Sequence, residues 1–281
     1  MRRLFTVLVL VTGVVPAIAA AGPRATLTCN GAPLTQPGGT PGPDVINGTP
    51  GMDIINGGGG DDVIHGLGGD DWICGGAGDD TLFGDDGSDL VIGGKGDDDI
   101  FGMKGDDYLR GGPGNDLLEA GAGNFSNMKG NGGRDRFRID SGDDHVVRGG
   151  PGVDTLDFGR SGRRVEVHLD WAQPLFCFGH MCGGSTVSGG VFSVENFFGT
   201  PFNDYIVGSG ARNAIHGGPG KDTLHGMGGN DRLFGDAGND DLHGRQGDDR
   251  LFGGGGSDTG TGGAGFDRCR GVETNDCEGV K

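Results

Sequence analysis

"GGAGDDTLFGDDGSDLVI", residues 75–92, holds two copies of one nine-residue unit. Each copy has glycine, a turn, an aspartate, and then three residues whose middle member is apolar. Rows of nine set from Gly39 run without a gap to Glu119. They begin GTPGPDVIN, GTPGMDIIN, GGGGDDVIH and GLGGDDWIC, and after the quoted pair they end GGKGDDDIF, GMKGDDYLR and GGPGNDLLE. In every row columns one and four are Gly, column six is Asp and column eight is Ile, Leu or Val.

From Ala120 the register loosens. It returns as GNGGRDRFR, IDSGDDHVV and, after an extra residue at Arg148, GGPGVDTLD. Residues 158–198 break the period. Eight more rows run from Gly199 (GTPFNDYIV, GSGARNAIH) to Arg270 (GGGGSDTGT, GGAGFDRCR). Column six holds Asp44, Asp53, Asp62, Asp71, Asp80, Asp89, Asp98, Asp107, Asp116, Asp135, Asp144 and Asp154, then Asp204, Asp222, Asp231, Asp240, Asp249, Asp258 and Asp267. Its exception is Asn213.

The period decides between order and disorder. With 67 Gly in 281 residues and a formal charge of −18, an aperiodic chain would stay unfolded, having too little apolar surface to offset conformational entropy. Here the glycines are placed. Six residues of each row make a turn and three make a strand, in which column eight faces one way and columns seven and nine the other. Apolar column eight is the inside. One such residue contributes about 1.5–3 kcal/mol when buried. Ordering nine residues costs roughly 1 kcal/mol or more each, so something besides the core must hold the rows.

The pattern is the nonapeptide GGxGxDxUx, and the chain resembles the RTX, or hemolysin-type, calcium-binding repeat family over nearly all its length beyond residue 38. The resemblance implies an all-β fold: a parallel β-roll (a β-helix or solenoid) with two repeats per coil, interrupted by an irregular β segment. Stacked coils are then about 4.8 Å apart. Column-six carboxylates at that spacing repel by roughly 3–4 kcal/mol at an effective dielectric of 20. A hard Ca²⁺ between stacked turns reverses the sign, because it takes six to eight carboxylate and carbonyl oxygens. All 19 column-six aspartates are therefore candidate ligands. Stacking row n on row n+2 leaves seats for about seven ions in the first block and at most about six in the second. Phe202, Ala211 and Asn213 weaken the start of the second block.

The chain divides into a signal peptide (1–21), a leader or cap (22–38), a first repeat block (39–119), degenerate repeats (120–157), an irregular β insertion (158–198), a second block (199–270) and a C-terminal cap (271–281). Arg2 and Arg3, the apolar run Leu4–Val15 and the small residues near Ala19 have the order of a secretory signal, which points to a secreted, extracellular protein. Six cysteines suit that compartment. Spacing suggests Cys177 with Cys182, Cys269 with Cys277, and Cys29 with Cys74, among 15 connectivities for six cysteines. A metal site on Cys177, His180 and Cys182 has too few ligands.

In the insertion, "RRVEVHLD" and "GGVFSVENFF" alternate like strands, with Val165, Val167 and Leu169 inward. One reading is a wide, metal-poor coil joining two rolls. The other is a recognition surface for a cell-surface glycan or matrix, built from Trp171, Phe176, Phe178, His180 and the Cys177–Cys182 loop. No catalytic signature such as HExxH, GxSxG or a phosphate-binding loop occurs, and the pairs His168 with Asp170 and His180 with Glu195 are weak acid–base candidates. His65, His216, His225 and His243 fall in column nine, a solvated position. The expected partner is calcium. The acidic charge argues against nucleic acid, and nothing after the leader resembles a membrane span.

Overall fold

The computed structural model describes residues 28–29, 32–36, 38–123, 125–140, 144–168, 185–186, 191–273 and 276–277. These residues contain strands and no helix, and the strands wind into a parallel β-solenoid of about 11 turns. Each coil is two rows long. Ile46 pairs with Ile64, Ile64 with Leu82, Leu82 with Ile100 and Ile100 with Leu118, always 18 residues on. The alternate rows stack likewise, Ile55 on Ile73, Val91 and Leu109.

One row of every coil feeds a long 13-stranded sheet. The other feeds a seven-stranded sheet in the first half and a six-stranded sheet in the second. The core between them is one residue deep from each side. Column-eight residues from Ile55 to Leu118 and from Ile206 to Leu251 are almost completely buried, and the next column-eight position, Gly260, brings no side chain.

The long sheet crosses the interruption without a gap, so the two blocks form one roll. The strand Thr155–Asp157 pairs with Asn196–Phe198, 41 residues on, and that strand pairs with Ala214–His216. Val165 and Val167 point inward as expected, joined by Val191, Val194 and Phe197. Leu169 and the residues offered as a recognition surface (Trp171, Phe176, Cys177, Phe178, His180 and Cys182) lie outside the described residues. So does the signal-like segment 1–21.

Two expectations are corrected. In the row at 139–147, Val147 rather than Val146 enters the core, stacking between Met128 and Val191. The coils here are 19 residues long, Leu109 pairing with Met128 and Leu118 with Phe137, because the loosened stretch after Glu119 carries its extra residue before the strand Phe125–Gly132. A second extra residue lies between the core positions Phe137 and Val147, so Asp144 sits one place out of phase with the other column-six positions. Column nine is also less solvated than its outward direction implies. On the long sheet's outer face His65 stacks on Phe83 (4.4 Å) and Phe83 on Phe101 (5.0 Å), and further on His216 lies between Phe198 (4.8 Å) and Phe234 (4.2 Å). His225 is buried, stacked on His243 at 4.6 Å.

Both ends are closed. At the N-terminal end Thr35 occupies the place one coil before Asp53: its hydroxyl and the Gln36 amide donate to Asp53 Oδ1 (3.1 and 2.9 Å). Cys74, although in column nine, is buried and disulfide-bonded. The side chain of Cys29 lies outside the description. At the other end Cys269 fills the column-eight position, is bonded to Cys277, and packs with Val272 against the last of the core. The Gly260 amide donates to the Glu273 carbonyl, carrying the C-terminal segment across the final coil (3.1 Å).

Candidate metal centre

Every regular column-six carboxylate divides its oxygens between two tasks. Oδ1 accepts the backbone N–H of the column-six residue one coil earlier. Asp62 Oδ1 accepts from Asp44, Asp80 from Asp62 and Asp98 from Asp80 (2.8, 2.8 and 2.9 Å). The second block repeats this, with Asp222 accepting from Asp204 and Asp240 from Asp222 (2.7 and 2.8 Å). These bonds satisfy a buried amide that the strand ladder does not reach. Oδ2 is left over. In fifteen column-six aspartates (Asp62, Asp71, Asp80, Asp89, Asp98, Asp107, Asp116, Asp135, Asp154, Asp222, Asp231, Asp240, Asp249, Asp258 and Asp267) it is buried and has no hydrogen-bond donor.

The space facing Oδ2 explains column one. A methyl carbon placed on Gly235 would lie 2.5 Å from Asp240 Oδ2 and 2.5 Å from the Gly253 carbonyl oxygen, in the next coil. On Gly84 it would lie 2.5 Å from Asp89 Oδ2 and 2.8 Å from the Gly102 carbonyl. That is far too close for carbon, so any side chain in column one would push the carboxylate and the next coil's carbonyl apart. Column one is thus glycine to leave a cradle, and not for its backbone angle. The left-handed angles fall in columns two and four. Leu67, Asp85, Met103, Met227, Asp236 and Arg245 adopt them in column two without being glycine.

Electrostatics give the cradle its sign. Burial, reinforced by neighbouring carboxylates, pushes Asp89, Asp98, Asp222 and Asp231 up to about 7. Asp71, Asp80, Asp107, Asp116, Asp135, Asp154 and Asp240 rise to about 6. From an ordinary 3.8, two such units amount to about 3 kcal/mol for each ionised group. Ionising these buried carboxylates together in a metal-free roll is unfavourable. The donor set is all oxygen, half carboxylate and half carbonyl, which fits a hard divalent cation. Among the described residues no three His, Cys, Asp or Glu side chains converge on one point.

Four rows are built differently, and sequence reasoning missed them. In each, a column-two hydroxyl and amide satisfy the column-six side chain of the same row. Thr40 donates to Asp44 Oδ2 through N–H (2.5 Å) and Oγ1 (2.9 Å), and Thr49 does the same to Asp53 at the same distances. Thr200 binds Asp204 Oδ2 through N–H (2.6 Å) and Oγ1 (2.9 Å). Ser209 binds Asn213 Oδ1 through N–H (2.8 Å) and Oγ (3.2 Å). Burial would raise Asp53, yet the bonds from Gln36, Thr49 and Thr35 outweigh it and hold the carboxyl below its ordinary value. For Asp204 burial still prevails and the shift is upward. These rows are the first two of each block, one full coil apiece. Their mark was visible as GT, GT, GT and GS in columns one and two.

Column five has a structural role as well. Asp61, Asp79 and Asp97 each accept, through Oδ1, the column-five N–H of the next coil (3.0, 2.8 and 2.7 Å). The frequent "DD" and "ND" pairs therefore split: the second residue reaches back one coil and the first reaches forward. At the interruption Glu195 substitutes for an aspartate, accepting the Asp154 amide at 2.8 Å; His180, offered as its acid–base partner, lies outside the described residues.

The profile of the RTX calcium-binding nonapeptide repeat, in four copies, matches residues 38–73, 66–100, 75–109, 92–124, 198–233 and 234–269, together more than half of the chain. No curated protein matches the chain.

Proposed function

We propose that this chain, which belongs to the RTX calcium-binding nonapeptide repeat family, is an exported protein whose roll assembles when calcium enters the cradles between its coils. Calcium would supply the positive charge and the six to eight coordination positions that the stacked turns require. The chain's own parts do the rest. Column-one glycine keeps the seat open, Asp Oδ2 and the next coil's carbonyl face it, and Oδ1 fixes the carboxylate to the backbone.

The observation that carries this reading is the set of fifteen buried Oδ2 atoms without a donor. An unpartnered charged oxygen is strongly destabilising when buried, and repeated fifteen times in one orientation it describes a ligand row. By the same logic the turns of Asp44, Asp53, Asp204 and Asn213 take no ion, since a hydroxyl and an amide already stand at the oxygen. These capped coils begin at Gly39 and Gly199, which supports the block boundaries drawn from the sequence. The order of residues 1–21 supports export.

The test is a far-ultraviolet circular dichroism titration of the oxidised chain, starting in chelator, with Ca²⁺ added and Mg²⁺ as control. A cooperative gain of strand signal with Ca²⁺ alone is expected. Full strand signal in chelator at neutral pH, indifferent to Ca²⁺, would overturn the reading. Sequencing the N-terminus of protein recovered from culture medium tests export: the expected chain starts near residue 22, and one retained in cells with Met1 intact counts against it.

A further inference from the structure

The long sheet's outer corner, where column five meets column seven, changes its charge from one end of the roll to the other. In the first block the column-five wall carries Asp61, Asp79 and Asp97. The column-seven wall carries Val63, Thr81, Asp99 and Leu117, in register. In the second block the same corner opens into a cleft of about 360 Å³ lined by Arg212, Arg232, Arg250 and Arg268, with Asp248 and Phe266 among the facing residues. Arg232, Arg250 and Arg268 occupy successive coils in direct register. All three are exposed.

Like charges directly opposite one another on neighbouring strands are destabilising. The first block shows that the fold accepts Val, Thr, Asp or Leu at this position, so the roll does not need arginine there. Among the described residues, the guanidinium groups of Arg232 and Arg250 make no ion pair or hydrogen bond. Arg268 lies 5.6 Å over the Phe266 ring. A chain of net charge −18 has thus set a row of guanidinium groups along one cleft, whose lining also includes Asp231, Asp248 and Asp249.

We propose that this cleft binds a linear acidic polysaccharide bearing uronic acid carboxylates, laid along the roll axis. The two walls differ in the way such a polymer does. The arginine wall offers forked donors to carboxylates. The opposite wall offers sugar hydroxyls the Asn230 Nδ2 donor and the Asp248 Oδ2 acceptor, while Oδ1 of each accepts a backbone N–H of the next coil (3.0 and 2.9 Å). A sugar ring is comparable in length with the spacing between strands, so acid groups and arginines can keep step. Nucleic acid fits less well. Single strands bind by stacking bases on open aromatic faces, but the neighbouring Phe234 and Phe252 cover each other's faces, stacked at 4.9 Å and 7°.

The test uses the full, oxidised chain at fixed Ca²⁺, with hyaluronan oligosaccharides as the probe and dextran as the neutral control, by isothermal titration calorimetry. Hyaluronan should bind, more weakly as salt rises, and dextran should not. Replacing Arg232, Arg250 and Arg268 by Thr, the residue at Thr81 and Thr155 in the same column, should weaken binding at least tenfold. Replacing Lys95, Lys104 and Arg110 by Thr removes the same charge from the first block and should leave binding unchanged. Circular dichroism in Ca²⁺ verifies folding, and Arg250→Thr alone is used if the triple variant does not fold. No binding to hyaluronan, or an equal loss in both triple variants, would overturn the proposal. So would a dimer that only the Arg232, Arg250 and Arg268 variant dissolves, since the occupant would then be a second copy. Tighter binding to an oligonucleotide than to hyaluronan would also overturn it.

Discussion

Replacing Gly235 by Ala tests the cradle with one methyl group. The backbone at Gly235 is not left-handed, so alanine meets no conformational penalty there. The added carbon meets Asp240 Oδ2 and the Gly253 carbonyl at 2.5 Å each, so it displaces the two oxygens proposed to hold the cation. Excluding one ion that is present at a hundred times its dissociation constant removes about 2.7 kcal/mol of linked stability. Relieving the overpacked carbon adds roughly 1–3 kcal/mol. A loss of about 4–6 kcal/mol in a chain of this size lowers the melting temperature by roughly 10–20 °C. The assay is a thermal melt followed by circular dichroism at fixed Ca²⁺, paired with an ion count from equilibrium dialysis and atomic emission. Gly51→Ala is the control, because a carbon there meets nothing within 4 Å, and it should change neither quantity. If Gly235→Ala binds as many ions as the natural chain and melts within about 2 °C of it, the seat is not between columns one and six.

Three further outcomes are expected. Thr200→Val removes the hydroxyl at Asp204 and should destabilise the calcium-loaded roll by about 1–3 kcal/mol with no change in ion count. A lower count would mean that this turn holds an ion after all. In chelator, stability should fall as pH rises. The column-six carboxyls of the metal-free roll, raised to about 6 or 7 as at Asp80 and Asp89, hold protons that the unfolded chain releases near 3.8, so the folded form is favoured near pH 4 and loses that advantage through pH 7. Equal strand signal at pH 4 and pH 7.5 without calcium would contradict the raised values. Finally, Asp89→Asn keeps the Oδ1 bond to the Asp71 amide (2.8 Å) but replaces the orphaned oxygen by a donor. It should cost one ion while the metal-free chain is unchanged or steadier at neutral pH, as read by dialysis and by denaturant titration in chelator.

The nine-residue period determined a great deal by itself. Column eight named the core, column six named the carboxylates, and the thinness of one apolar residue per row required a further stabilising partner. Those properties belong to a residue's type and its place in the row, so they are written along the chain. The partner of each group is not, because it lies one coil away, 18 residues on in the regular rows, 19 across the loosened stretch and about 40 across the interruption. Only the stacking reveals that one carboxylate oxygen braces the backbone while the other is left for a cation. The same stacking explains column one, where the carboxylate and the next coil's carbonyl leave no room for a side chain, and it leaves the left-handed angles to columns two and four. Thr40, Thr49, Thr200 and Ser209 look like substitutions in a glycine column until their hydroxyls are found on Asp44, Asp53, Asp204 and Asn213. Arg232, Arg250 and Arg268 are far apart in the chain and become a row only when the coils are laid in register. A repeat sequence states what each position must be. The solenoid's winding decides which positions meet, since hydrogen bonding, ion binding and charge repulsion all act through space.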